Sequence, residues 1–149
     1  MADTPLKIWA VSDGRAGIEA QVVGLADAVA ALVPATVTLK RISYRAGLGR
    51  LPALFNPFPR AALTDPGQIA RPWPDLWIAA GRATLPLSIR VRRWSRGKTF
   101  VVQLQDPRLP PQMFDLVIPP RHDRLDRPFA HVARGPLDDP NSHRVIRRV

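Results

Sequence analysis

Asp13-Gly14-Arg15-Ala16-Gly17 places a carboxylate, a guanidinium and two glycines within five residues, directly after the apolar run Lys7-Ile8-Trp9-Ala10-Val11. Glycines between a strand and a helix let backbone N–H groups approach an anion at the positive end of the helix, and Arg15 adds charge there. As a dinucleotide fingerprint the string fails, because G-x-G-x-x-G needs a third glycine, and it lacks the Gly-Lys-Ser/Thr of a P-loop. The second predicted strand ends in Lys40-Arg41, where an NAD site would want an acid. The alternative reading of the string is a tight strand-to-helix turn. Gly81-Arg82-Ala83-Thr84 repeats the arrangement at the next predicted helix start, with Thr84 in position to cap it.

Two further turns carry functional side chains: Gln105-Asp106-Pro107-Arg108 and His122-Asp123. His122 is the one histidine beside a carboxylate in such a turn; a histidine can act as a base near neutral pH, and Asp123 can tune or orient it. Neither His131 nor His143 extends this into metal-ligand spacing, so no metal and no cofactor are expected. Arg90, Arg92, Arg93, Arg96 and Lys98 form the densest basic cluster, which reads as a solvated helix face with Arg90 and Arg93 pointing outward or, alternatively, as a contact for phosphate or lipid.

Positioning these residues requires alternating strands and helices. The run at 7–11 is long enough for a buried strand and too short for a helix. Ile18, Val22, Leu25, Val29 and Leu32 recur at helical spacing until Pro34 stops them, and Thr36 to Ile42 alternates as a strand. Six prolines between residues 45 and 74 predict one or two short helices in a long connection; the apolar residues of Leu48 to Phe58, mixed with arginines, read as packed over the sheet or, alternatively, as an interfacial element. Asp75 to Ala80 predicts a third strand. A helix follows on Leu87, Val91 and Trp94, with Pro86 in its first turn and Gly97 at its end. Thr99 to Leu104 and Asp115 to Ile118 are further strands, and Phe129 to Ala133 a sixth candidate. This βαβ order predicts an α/β, Rossmann-like three-layer domain with a mostly parallel sheet, over residues 1–135. Residues 136–149 read as a polar basic tail or a truncated linker. In such a sheet every chemistry-bearing turn named above follows a strand's carboxyl end, where ligands bind in open α/β folds.

Composition narrows the classes. A chain of 149 residues with 46% hydrophobic and 23% charged residues has the makings of one globular core. Absence of cysteine excludes disulfide scaffolds, iron–sulfur centres and thiol catalysis. The amino terminus lacks the pattern of a signal peptide, and no apolar run approaches the ~20 residues of a membrane span. The expected location is cytoplasmic, with peripheral contact to the inner face of a membrane as an option. Net charge is +10, carried by nineteen arginines and only three lysines (Lys7, Lys40, Lys98). Such charge attracts phosphorylated small molecules, anionic lipid or nucleic acid without choosing among them. Nucleic acid is the weakest of these, because aromatic content is 7% and Trp9, Trp77 and Trp94 fit core positions.

Four strings taken together resemble a known family: Val11 to Gln21 (VSDGRAGIEAQ), Pro74 to Thr84 (PDLWIAAGRAT), Val101 to Arg108 (VVQLQDPR) and Phe114 to Asp123 (FDLVIPPRHD). Collinear from Ile8 to Gly135, they are similar to the mitochondrial-fission (elongated-mitochondria) family and its bacterial relatives, which are variously labelled glycosyltransferases or nucleoside-diphosphate-sugar epimerases. The resemblance implies the amino-terminal half of a two-domain GT-B-like architecture, the half that holds the acceptor, while the other half holds most of the nucleotide-sugar. After Gly135 the pattern departs, at Leu137 to Ser142. By position, Asp13, Gly14, Arg15, Gly17 and Gln21 match the first motif, Gly81 and Arg82 the second, Gln105, Asp106 and Arg108 the third, and His122 with Asp123 the fourth. The implied function is the acceptor side of a glycosyltransferase, incomplete on its own. Asp13 or His122 would deprotonate an acceptor hydroxyl; Arg15, Arg82 and Arg108 would steady phosphate. The alternative is a non-enzymatic module bound to a membrane surface or to a protein.

Overall fold

Strand β3 (Leu76–Ala80) is buried at every one of its five residues, which is what a central parallel strand covered on both faces requires. The computed structural model describes residues 4–48 and 51–118. Around β3 lie β1 (Leu6–Ser12), β2 (Ala35–Arg41), β4 (Phe100–Leu104) and β5 (Leu116–Ile118), in the order β2-β1-β3-β4-β5. All four pairings are parallel, with Trp9 beside Trp77 and Ile78 beside Val102 in register. The α/β three-layer, Rossmann-like fold read from the sequence is therefore the fold of this chain.

Side-chain alternation along β1 and β3 divides the core in two. Ile8, Ala10, Leu76, Ile78 and Ala80 join Val22 and Ala26 of helix α1 (Ala16–Ala30) on one face. Val11, Trp77, Ala79 and Val101 join Leu87 and Val91 of helix α2 (Leu85–Trp94) on the other, together with Leu63 and Ile69 of the long connection. Each fully buried residue of this size contributes about 1.5–3 kcal/mol by leaving water. β2 alternates between half-buried and exposed residues, as an edge strand with one covered face should.

The strands are clamped where they begin by a device not visible as such in the sequence. The backbone N–H of Asp75 donates to the Lys7 carbonyl at 2.9 Å, while its carboxylate accepts the Lys7 N–H at 2.8 Å. Asp115 does the same for Val101, at 3.0 and 2.8 Å. The Asp-Leu pairs in the strings at 74–84 and 114–123 thus lock each strand to its neighbour.

Three expectations need correction. α1 ends at Ala30, and Leu32 lies beyond it, 64% exposed; the last apolar position of the periodic stripe belongs to the turn before Pro34. Thr84 does not cap α2 with its side chain. Its hydroxyl turns back to the carbonyls of Ala80 and Gly81, because residues 82–84 are already a 3-10 turn. The segment from Leu48 to Phe58 does not lay its large side chains on the sheet: Leu54, Phe55 and Phe58 are 50%, 75% and 73% exposed. Among the described residues of the 45–74 connection, proline density leaves one-turn 3-10 helices, at Ala53–Phe55 and Pro66–Gln68, too short to present an apolar stripe inward.

Candidate functional site

Strand order 2-1-3-4-5 reverses direction between β1 and β3, and the crevice of a doubly wound sheet opens at that reversal, outside the carboxyl ends of the two strands. Here those ends carry Asp13-Gly14-Arg15 and Gly81-Arg82. Ser12, fully buried at the end of β1, accepts the Gly14 N–H at 2.9 Å, which folds the chain over at φ +86° for Gly14. Asp13 then accepts the Arg15 N–H at 3.2 Å and lies 3.5 Å from the Arg15 Nε. Arg15 is the residue before α1 and supplies no side-chain cap, so the first N–H groups of the helix, at Ala16 and Gly17, have no side-chain hydrogen bond from the capping position.

The second loop comes up against the first. Gly81 takes φ 88° and ψ 154°, and a Cβ there would stand 3.6 Å from both Asp13 Oδ2 and Ile18 Cγ2. A Cβ would make ordinary contact at those distances, so it is the backbone conformation that calls for glycine here. Arg82 follows, exposed, while Tyr44 fixes the loop from beneath by donating its hydroxyl to the Ala83 carbonyl at 2.6 Å. Burial pushes the Tyr44 phenol well above its ordinary range, keeping it a donor. A third loop adjoins these: Gln105 donates its amide to the Gln21 side chain at 3.2 Å, tying the end of β4 to α1. This loop holds two non-glycine residues in the left-handed region, Gln105 at φ 68° and Arg108 at φ 51°, with Asp106 accepting the Arg108 N–H at 2.9 Å. Strained backbone of this kind persists where surrounding structure holds a side chain in a required place.

Asp13, Gly14, Arg15, Gly17, Gln21, Gly81, Arg82, Gln105, Asp106 and Arg108 thus come from three loops and one helix start along one rim of the sheet. His122 and Asp123 lie outside the described residues. Among the described residues no three His, Cys, Asp or Glu side chains gather as metal ligands do.

Several residues of the rim escaped the sequence. Glu19, on the first turn of α1, receives both Arg41 Nε and Nη2 at 2.7 Å. The guanidinium holds the Glu19 carboxyl below its usual range, and the carboxylate in turn raises Arg41. Arg41 is therefore committed to α1 and is not a free phosphate ligand. Beside it an open depression of about 400 Å³ is lined by Leu39, Lys40, Arg41 and Gln68. Gln103, fully buried behind the rim, donates to Thr84 at 3.4 Å and leaves its Oε1 without a protein partner. A lone polar residue at an inward position of β4, where the pattern calls for an apolar one, was the available signal.

The tryptophans sit away from this rim and pack on one another. Trp73 stacks on Trp94 at 5.6 Å between ring centroids, and Trp9 meets Trp73 and Trp77 at 6.3 and 6.1 Å. Arg60 lies over Trp73 and Trp94, and Lys40 over Trp9.

Comparison with known proteins identifies a family and a curated relative. The model of the family described as Mitochondrial fission ELM1 matches residues 16–147. Mitochondrial fission protein ELM1 of Arabidopsis thaliana is 46% identical over 50 residues, which cover 34% of this chain and 12% of that protein. The match thus spans only a small part of the relative's length. No solved structure matches the chain significantly. With most of its length, from the first residue of α1 onward, covered by the family model, the chain belongs to the mitochondrial fission ELM1 family.

Proposed function

We propose that the carboxyl rim of this sheet is the acceptor side of an inverting, metal-independent glycosyl transfer, in which an acceptor hydroxyl attacks the sugar of a nucleotide-sugar donor. The observation that carries this reading is the meeting of the Asp13 and Gly81 loops at the strand-order reversal, with Asp13 Oδ2 lining the gap that glycine leaves. A carboxylate there, its side chain 15% exposed, has Oδ1 taken by the Arg15 N–H, while Oδ2 stands 3.5 Å from the Arg15 Nε and faces Gly81. In the proposed step that oxygen takes the proton of the acceptor hydroxyl. The new C–O bond forms at the anomeric carbon as the bond to the nucleoside diphosphate breaks, and the diphosphate leaves with the electron pair. Exposed Arg15, Arg82 and Arg108, with the uncapped start of α1 beside Gly14 and Gly17, offer donors to the departing negative charge. Gln21 and Gln105 hold the third loop against α1. His122, backed by Asp123, is the second candidate base. In this reading the rim supplies the acceptor side, and a complementary half holds the nucleotide-sugar donor.

Calorimetric titration with a uridine-diphosphate sugar and with pyrophosphate tests this. Both should bind, and Arg82→Ala should weaken binding about tenfold or more through loss of charge-assisted hydrogen bonds. In a longer family member, the change equivalent to Asp13→Asn should leave binding intact and abolish transfer, whereas loss of transfer only on changing the equivalent of His122 would reassign the base. No binding by either protein, or binding indifferent to Arg82, overturns the reading.

A further inference from the structure

Residues 43–48 and 51–64 belong to a loop whose two ends are tied together and whose tip is apolar. Ser43 and Thr64 pair through backbone and hydroxyl groups, Arg45 donates its N–H to Ala62 at 2.8 Å, and Tyr44 bridges Leu63. Leu63 is buried in the core and anchors this base. Farther out, Arg90 of α2 reaches the Ala53 carbonyl at 3.2 Å while also donating to its own helix at Pro86, so the 3-10 turn at Ala53–Phe55 is pinned against α2. The loop is therefore held, and its tip still faces water: Leu51, Leu54, Phe55 and Phe58 are 42%, 50%, 75% and 73% exposed. Two phenylalanines and two leucines left in solvent within eight residues, on a segment fixed at base and middle, are unlike scattered surface apolar residues.

The charge around the tip is of one sign. No aspartate or glutamate occurs from residue 28 to 64 or from 76 to 105, the stretches that form the loop and the helix it rests on. Arg45, Arg93, Arg96 and Lys98 are exposed. Among the described residues, Arg92 alone on α2 is answered by a carboxylate, that of Asp115 at 3.3 Å. An apolar tip flanked by uncompensated arginines matches the two layers of an anionic bilayer surface, where aromatic and leucine side chains enter the acyl boundary and cations meet the headgroups. A protein partner of comparable tip chemistry needs no such extended absence of acids.

We propose that the loop tip at Leu51, Leu54, Phe55 and Phe58, together with the exposed Arg93, Arg96 and Lys98 at the end of α2, is a docking site for an anionic membrane surface. It uses neither the rim residues nor the donor half, and so stands apart from the transferase reading.

Co-sedimentation of the purified chain with phosphatidylcholine vesicles, with and without about one-third phosphatidylglycerol, tests it. Binding is expected only to the anionic vesicles and should fall as salt rises through the range that screens exposed charges. Phe55→Ser with Phe58→Ser should reduce partitioning about tenfold or more, and Arg93→Glu with Arg96→Glu likewise, with the thermal unfolding midpoint of each double variant close to that of the parent, since these side chains are exposed. Absence of binding to anionic vesicles overturns the proposal. So does binding that ignores the Phe55/Phe58 substitutions, which would reduce it to nonspecific charge. A change in oligomeric state on those substitutions, without lipid binding, would assign the tip to a second copy of the chain instead.

Discussion

At Gly81 the backbone takes φ 88° and ψ 154°, a region that essentially only glycine occupies, and the neighbouring Asp13 oxygen leaves room for little more than a methyl group. Gly81→Ala is expected to cost about 1–3 kcal/mol from backbone strain alone. Gly81→Val should add crowding against Ile18 and weaken ligand binding at the rim; urea unfolding and titration read the two effects separately. Arg96 presents the opposite case. α2 closes with the Gly97 N–H on the Arg92 carbonyl at 2.7 Å and the Arg96 N–H on the Arg93 carbonyl at 3.1 Å, the paired bonds of a Schellman end. The left-handed residue of that motif, usually glycine, is Arg96 at φ 56°. Arg96→Gly relieves the left-handed strain but gives the unfolded chain more freedom, and the relief outweighs that entropy by a modest margin. A stabilisation of about 0.5–1 kcal/mol is expected, seen as a higher urea midpoint. Gly97 was legible as the end of this helix, but not that its neighbour bears the unusual angle: in sequence, a glycine announces a bend without saying which adjacent residue shares it.

Elements are held by pairs that sequence patterning treats as unrelated. Trp77 of β3 donates its indole N–H to Ser88 of α2 at 2.9 Å, both fully buried, so one bond fixes the rotation of the helix over the sheet. Trp77→Phe keeps the ring packing but opens space and strands the Ser88 hydroxyl. A loss of about 2–4 kcal/mol is expected in equilibrium unfolding, partly recovered in Trp77→Phe with Ser88→Ala. Two carboxylates make the elements sensitive to acid in opposite senses. Glu19, held low by Arg41, contributes stability above its ordinary pKa that is lost as pH falls through its folded value. Asp115, raised by burial despite the Val101 N–H and Arg92, works the other way: stability falls as pH rises from its ordinary value to its raised one. Arg41→Ala should therefore flatten the acid-side loss of stability, and Asp115→Asn should deepen it; thermal unfolding from pH 6 to about pH 3 separates them. The strands and both helices were readable because parallel strands leave short apolar runs and helices leave stripes. The connection from 45 to 74 was not, because prolines destroy both periods and leave exposed and buried apolar residues looking alike in sequence. The rim was readable as a set of turns, yet the contact that joins two of them, Gly81 against Asp13, spans 68 residues and depends on a strand order the sequence does not state.

For the molecule as a whole the deciding quantity is a net charge of +10 on 149 residues. Two effects of salt compete. It weakens the ion pairs, of which the described residues hold three: Arg15 with Asp13, Arg41 with Glu19, and Arg92 with Asp115. It also screens repulsion among the cationic side chains, which outnumber the acids fourteen to seven among the described residues. Exposed ion pairs are worth about 0–1 kcal/mol each, and the Arg15 pair, with its guanidinium 81% exposed, stands near the bottom of that range. Repulsion acts between every pair of cations within a screening length, which shrinks from about 30 Å at 0.01 M salt to about 3 Å at 1 M. With so few pairs set against so many like charges, screening should win. The unfolding temperature is expected to rise between about 0.01 and 0.3 M sodium chloride, most steeply at the low end, where the screening length crosses the size of the domain. Arg41→Ala should make that rise steeper, because it deletes the bidentate pair that salt would otherwise erode. An unfolding temperature that falls with salt in the parent and rises in Arg41→Ala would show that one well-aligned pair outweighs the long-range repulsion, and that the Glu19–Arg41 bridge between α1 and β2 is a main support of the fold.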